Sequence, residues 1–296
     1  ARPVASGPYL WIMPAIRTPG APSVSEPYGD RATAVSRGVT ILSAALASLL
    51  LLFLVLPLAG IVGGWGLSGL RALVGDAELR ASVALTLLTA TIATLLGAAG
   101  GIPLAYLLSR GRFRGRAMVS ALLDMPLVVP HPVAGIALLL MLGHDTPLGK
   151  AMFAAGLEIT GSRTGIVCAM MFVSAPLLIS AAREAFDRVD PRLEAVARTL
   201  GDSPWRAARR VTLPLAARGL VSAGVVMWAR AMSEFGAIVI LTYNPKVASV
   251  LSYERFTAFG LKSALPVAAV LVLLALVPIA VLRTVNSPDS LPERRG

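Results

Sequence analysis

The sequence predicts an all-α fold: a polytopic membrane protein with six transmembrane helices. Three observations predict it. Of 296 residues, 56% are hydrophobic and only 15% charged, with a mean hydropathy of +0.74, whereas a soluble domain has about a quarter of its residues charged. The apolar residues gather into stretches long enough to cross a bilayer as a helix, about 20 residues each. The basic residues gather between those stretches, mostly on one side. This composition excludes a disordered chain. One cysteine, Cys168, excludes internal disulfides and a cysteine-based metal cluster, and two histidines, His131 and His144, leave little for zinc or haem.

The elements follow in order. Residues 1–38 contain Pro3, Pro8, Pro14, Pro19, Pro22 and Pro27 among scattered Ser and Gly, and read as a flexible cytoplasmic extension without a secretory signal. The transmembrane domain is residues 39–285. Its first span covers residues 39–65 and its second 81–108. The third, 118–142, is interrupted by Pro126, Pro130 and Pro132, which predicts a kinked or broken helix. A membrane tolerates such backbone only where protein or a cavity covers it. The fourth span covers 164–182 with Pro176 inside, the fifth 219–242 and the sixth 263–283. Residues 286–296 form a polar tail.

Orientation comes from the basic residues. With the N-terminus inside, 19 of the 27 Lys and Arg fall in the extension, in residues 110–116, in the loop after the fourth span, and in the tail together with Arg283 at the end of the sixth span. Seven fall on the opposite side, and Arg230 lies inside a span. Both termini are therefore expected in the cytoplasm, and the +11 net charge needs no nucleic acid to explain it.

The loop between the fourth and fifth spans, residues 183–216, is too long to be a bare linker. Asp190 can cap a helix that starts at Pro191. Leu193, Val196, Ala197 and Leu200 share one face of it. Gly201 can end it in the left-handed conformation. Ser203 caps a second helix starting at Pro204, along which Trp205, Ala208 and Val211 or Thr212 follow. Leu213-Pro214 is expected to close that helix. Two capped helices with an apolar stripe and basic flanks suit docking into a partner's groove.

From Arg198 to Pro214 the loop resembles the coupling-loop motif in permease subunits of binding-protein-dependent ABC importers: Glu-Ala-Ala, three residues, Gly, nine residues, an aliphatic, one residue, Leu-Pro. Gly201, Val211, Leu213 and Pro214 match it. Ala195 stands where the family has Glu, and Glu194 is one place early. That shift turns a side chain about 100° around a helix, so Glu194 is expected to stand off the usual acidic position.

Ser-Arg-Gly-Arg-Phe-Arg-Gly-Arg (109–116), Pro-Leu-Val-Val-Pro-His-Pro-Val-Ala-Gly-Ile-Ala-Leu-Leu (126–139) and Arg-Ala-Met-Ser-Glu-Phe-Gly-Ala (230–237) resemble the molybdate, tungstate and sulfate branch. Residues 243–261 are most like tungstate/molybdate permeases. The resemblance implies a type I importer permease in a prokaryotic cytoplasmic membrane. It further implies a homodimer of permease copies, two ATP-binding subunits that hold ATP and Mg, and an extracytoplasmic binding protein for a tetrahedral oxyanion.

Arg230 and Glu234, four apart, would share a helix face in the fifth span. Charges at membrane depth cost at least about 2.5–3.5 kcal/mol on insertion scales, so they should face a pore or pair. They form either a polar element of an anion pathway or an ion pair between helices. Ser233 offers a hydroxyl to such a pathway or to helix packing. His131, between two prolines, either donates to an oxyanion or satisfies a freed carbonyl. No Walker motif occurs, so ATP work would fall to a separate subunit. No cofactor or metal site is expected in this chain. The rivals are an importer permease for another small solute, a secondary transporter and an intramembrane enzyme.

Overall fold

The computed structural model describes residues 37–111 and 113–286. The expected extension up to residue 36 and the tail from residue 287 lie outside the described residues, as does Arg112. The helices are α1 (Arg37–Gly75), α2 (Ala77–Arg110), α3 (Arg116–Val128), α4 (His131–Leu142), α5 (Pro147–Ala154), α6 (Arg163–Asp187), α7 (Pro191–Thr199), α8 (Pro204–Ala207), α9 (Leu213–Met232), α10 (Gly236–Leu241), α11 (Ala248–Phe259) and α12 (Leu261–Asn286), with a π-helical turn at Ala208–Thr212 between α8 and α9.

Two compact units divide the chain after Phe53. In the first, α1 exposes Ile41, Leu42, Leu49 and Phe53, an apolar surface suited to lipid. In the second, α2 packs on α6 and α6 on α9. Their core joins Ala90 and Ala93 of α2, Ile166, Ala169, Met170 and Val173 of α6, and Ala231 of α9. Small residues allow close helix approach where lipid supplies no hydrophobic drive. Within α2, the hydroxyls of Thr86, Thr89 and Thr94 donate to carbonyls one turn back.

Among the described residues, five helices are long and apolar enough to cross a membrane, or six counting α3 and α4 as one span bent by 114°. Packing favours one broken span. Val119 and Leu123 of α3 pack against the cluster that holds Ile179 and Ala182, and Ser120 of α3 accepts at 3.4 Å from Arg183 Nη1, near the C-terminal end of α6. Leu138 and Leu142 of α4 pack with Ile166 near its N-terminal end. The pair thus runs the length of α6. The break lies at Val129-Pro130, as the prolines predict.

Two expectations are corrected. The fifth span is not one helix over 219–242. It stops at Met232 and restarts at Gly236. Ser233 Oγ donates to the Arg230 carbonyl at 3.0 Å, and Glu234 Oε1 accepts from the Ala237 N–H at 2.9 Å. These side chains occupy backbone groups freed by the break, as serines and carboxylates do at helix ends. Leu213-Pro214, in turn, does not close the second loop helix. Helical backbone continues from Pro204 to Met232. The π turn is wider than an α turn and already shifts the hydrogen-bond ladder, and Pro214, which cannot donate to that ladder, follows just after it.

Candidate functional site

Two breaks meet inside the second unit. His131 opens α4, Arg230 lies in the last turn of α9, and Ser233 and Glu234 lie between α9 and α10. Arg230 Nη2 donates to Glu234 Oε2 at 2.9 Å and also meets His131 Nε2. A guanidinium has no lone pair, so in this contact Arg230 can only donate. Arg230 Nη1 donates to Ser233 Oγ at 3.3 Å. All four residues expected on a pathway are therefore in one cluster. Two details differ from the expectation. Glu234 is outside the helix that carries Arg230, and His131 faces the guanidinium instead of a freed carbonyl.

Burial makes the cluster polar on one side only. The Glu234 side chain is 1% exposed, Arg230 is 23% exposed and Ser233 is exposed. Close packing holds the geometry: a Cβ on Gly236 would stand 2.7 Å from the His131 Cβ, and one on Gly135 2.7 Å from the Ala237 carbonyl oxygen. Only glycines let α4 and α10 approach this way. Beside the break, Thr86, Met232, Ser233, Ser249, Leu271 and Pro278 line a cavity of about 440 Å³.

The second feature is the loop from α6 to α9. Asp190 accepts from the Arg192 N–H and Ser203 from the Arg206 N–H, each with proline at the first helical position. Gly201 has φ +97°. Leu193, Val196, Leu200 and Trp205 are exposed, Leu200 by 83% and Trp205 by 74%. Ala195, Leu213 and Pro214 are exposed as well, and Val211 is half-buried. Fully polar water is a poor environment for such a row, and a protein groove a good one.

Glu194 points the other way. Its Oε2 accepts from Tyr106 Oη at 3.2 Å, and its Oε1 from Arg110 Nε at 3.4 Å and from Thr212 Oγ1. The shifted carboxylate therefore faces α2 and the π turn. Arg110 also donates through Nη2 to the carbonyls of Phe186, at 2.9 Å, and Val189, at 2.6 Å. These carbonyls lie at and just past the C-terminal end of α6, and that of Phe186 also accepts from the Val189 N–H at 3.0 Å. The sequence offers Arg110 as a topology signal and as part of the 109–116 run, and Thr212 as a position on the second loop helix; it gives neither of them, nor Tyr106, this role. The available signal was the mid-loop carboxylate itself, which needs a partner when buried.

At the far end of α2, Arg255 of α11 reaches Asp76 at 2.6 Å and Glu78 at 3.3 Å, and Lys246 reaches Glu254 at 2.8 Å and Glu78 at 3.3 Å. The Lys246 ammonium is the main cause holding the Glu254 carboxyl below its usual range. Burial works against ionised Asp76, but hydrogen bonds from the Leu79 N–H and Arg255 outweigh it and lower its pKa.

The family described as binding-protein-dependent transport system inner membrane component matches residues 100–287, covering both the break cluster and the loop. The chain belongs to this family. This inner membrane component is 41% identical over 244 residues to the molybdate/tungstate transport system permease protein of Thermococcus kodakarensis, covering 82% of this chain and 94% of the relative. It is 40% identical over 236 residues to the probable molybdenum ABC transporter permease protein of Haloferax volcanii, covering 80% and 85%. Its fold matches a chain of the bacterial alginate ABC transporter crystallised with an alginate-bound periplasmic protein, with TM-score 0.66 at 18% identity over 84% of this chain and 94% of that one. The inner membrane component is thus an ABC importer permease by family and type I importer-like by fold. The secondary-transporter and intramembrane-enzyme readings fall.

Proposed function

We propose that this permease carries a tetrahedral oxyanion, molybdate or tungstate ahead of sulfate, across the cytoplasmic membrane of a prokaryote. ATP is hydrolysed, with Mg, by a separate subunit docked on the α7–α8 loop. The observation that carries this reading is the loop, whose two capped helices turn Leu193, Val196, Leu200 and Trp205 outward while Glu194 is held inward. The substrate class is supported by 41% identity to a molybdate/tungstate permease over nearly its whole length. Two permease copies would frame one pathway, with two ATP-binding subunits below and an oxyanion-binding protein above. Both termini lie in the cytoplasm.

The break cluster gives the pathway its chemistry. Arg230 offers the guanidinium N–H groups that Glu234, His131 and Ser233 leave open, and Glu234 cancels most of the charge. A dehydrated divalent anion then finds donors without a deep electrostatic trap, as conduction requires. Discontinuous helices meeting in the membrane are where transporters place such groups. His131 holds the guanidinium in place through Nε2. ATP-driven closure of the partner would move the loop and rock the helices around this point.

The test is uptake into vesicles holding the permease, its cognate ATPase and its binding protein. Tungstate and molybdate should enter only with ATP, and sulfate more slowly. Uptake without the ATPase, or uptake of neither metal oxyanion, overturns the reading.

A further inference from the structure

The contacts of Glu194 extend beyond the loop it belongs to. Tyr106 and Arg110 sit in the last turns of α2, Phe186 and Val189 at the end of α6, and Thr212 in the π turn that leads into α9. The Glu194 and Arg110 side chains are only 15% and 14% exposed. A carboxylate with three donors, facing a guanidinium that itself holds two carbonyls, is a charge-assisted network and not a loose surface pair. The Tyr106 ring adds an edge-to-face contact with Phe186 at 5.4 Å between centroids. The loop is thus joined to the membrane helices twice: by continuous backbone into α9, and through Glu194 to α2 and α6.

We propose that Glu194 is the positioning residue of the coupling loop, clamping α7 to the ends of α2 and α6 through Arg110, Tyr106 and Thr212 so that loop movement reaches those spans as well as α9. The proposal rests on the reading of this loop as the ATPase-docking element. It gives the one-residue shift a use: an acidic side chain at position 195 would lie on the exposed face beside the partner, whereas one at 194 faces the permease's own helices. Without the carboxylate, α7 keeps its apolar face and its caps, so the ATPase still binds. What is lost is the second route by which ATPase closure reaches the pathway.

The test uses the complete complex of permease, cognate ATPase and binding protein in vesicles, with tungstate as the probe. Glu194→Ala should retain the ATPase through purification. Its hydrolysis should lose stimulation by the tungstate-loaded binding protein, and tungstate uptake should fall about tenfold or more, a normal size for a coupling effect. Glu194→Gln, whose amide oxygen still accepts one of the three donors, should restore part of both. Arg110→Gln combined with Glu194→Gln should cost no more than Arg110→Gln alone, because the two act through one link. Wild-type stimulation and uptake in Glu194→Ala overturn the proposal. So does loss of the ATPase from Glu194→Ala, which would make Glu194 a docking contact. Failure of the wild-type permease to retain an ATPase would instead defeat the reading of the loop, a separate outcome visible before any variant is made.

Discussion

Arg230 and Glu234 illustrate how a buried charge is kept in a membrane. Glu234 is 1% exposed and has two uses: it pairs with Arg230 at 2.9 Å and caps α10 at the Ala237 N–H. Removing one partner of a buried pair leaves the other uncompensated, at a cost of about 3–5 kcal/mol. Arg230→Ala should therefore lower the melting temperature of the purified permease markedly. Arg230→Ala with Glu234→Gln should recover much of the loss, since a neutral amide can still accept from Ala237. If the double variant melts no higher than the single one, charge compensation is not what Arg230 provides. Proximity of the pair was legible from the four-residue spacing. The break between the two residues was not, because it depends on side chains occupying freed backbone groups.

At the scale of elements, local signals were read well and long-range ones poorly. Asp190-Pro191, Ser203-Pro204 and Gly201 mark the two loop helices because capping depends on neighbours a few residues away. Pro214 was misread as a stop because a π turn leaves no mark in apolar periodicity. That turn fixes the angle between α8 and α9. Deleting Arg209 should turn Trp205 about 100° about the helix axis relative to α9. Co-purification should then show the ATPase lost while the permease still inserts. The α2–α11 ties respond to pH. Because Asp76 and Glu254 have lowered pKa values in the folded chain, their contribution is complete above the usual carboxylate range of about 4. It is lost as pH falls through the lowered values. Lys246, raised chiefly by its hydrogen bond to Glu254, loses its contribution only at strongly alkaline pH. Thermal stability should be flat from neutral pH to mildly acidic pH and decline below about pH 4; a decline beginning near neutrality would point to another group.

For the molecule as a whole, six stretches of apolar residues were enough to predict the membrane fold, because bilayer thickness sets helix length directly. How the third and fifth spans break and meet depends on Gly135, Gly236 and their neighbours, a packing fact that composition does not carry. Orientation is tested by cysteines at Ser203 and Lys150 in a Cys168→Ser background, with the permease alone in sealed vesicles. An impermeant maleimide should label the two from opposite sides. Labelling of both from one side would contradict cytoplasmic termini. The account's central claim is that the α7–α8 loop converts ATP hydrolysis into oxyanion movement, and Gly201 tests it most directly. No atom lies within 4 Å of where its Cβ would be, so only its φ of +97° resists substitution. A β-branched residue is strongly disfavoured there, whereas Asn tolerates the left-handed region. The decisive measurement is tungstate influx and ATP hydrolysis, recorded together in vesicles carrying the full complex. Gly201→Asn should keep both coupled, and Gly201→Val should assemble yet lose influx and substrate-stimulated hydrolysis together. Normal coupled influx in Gly201→Val would contradict the account.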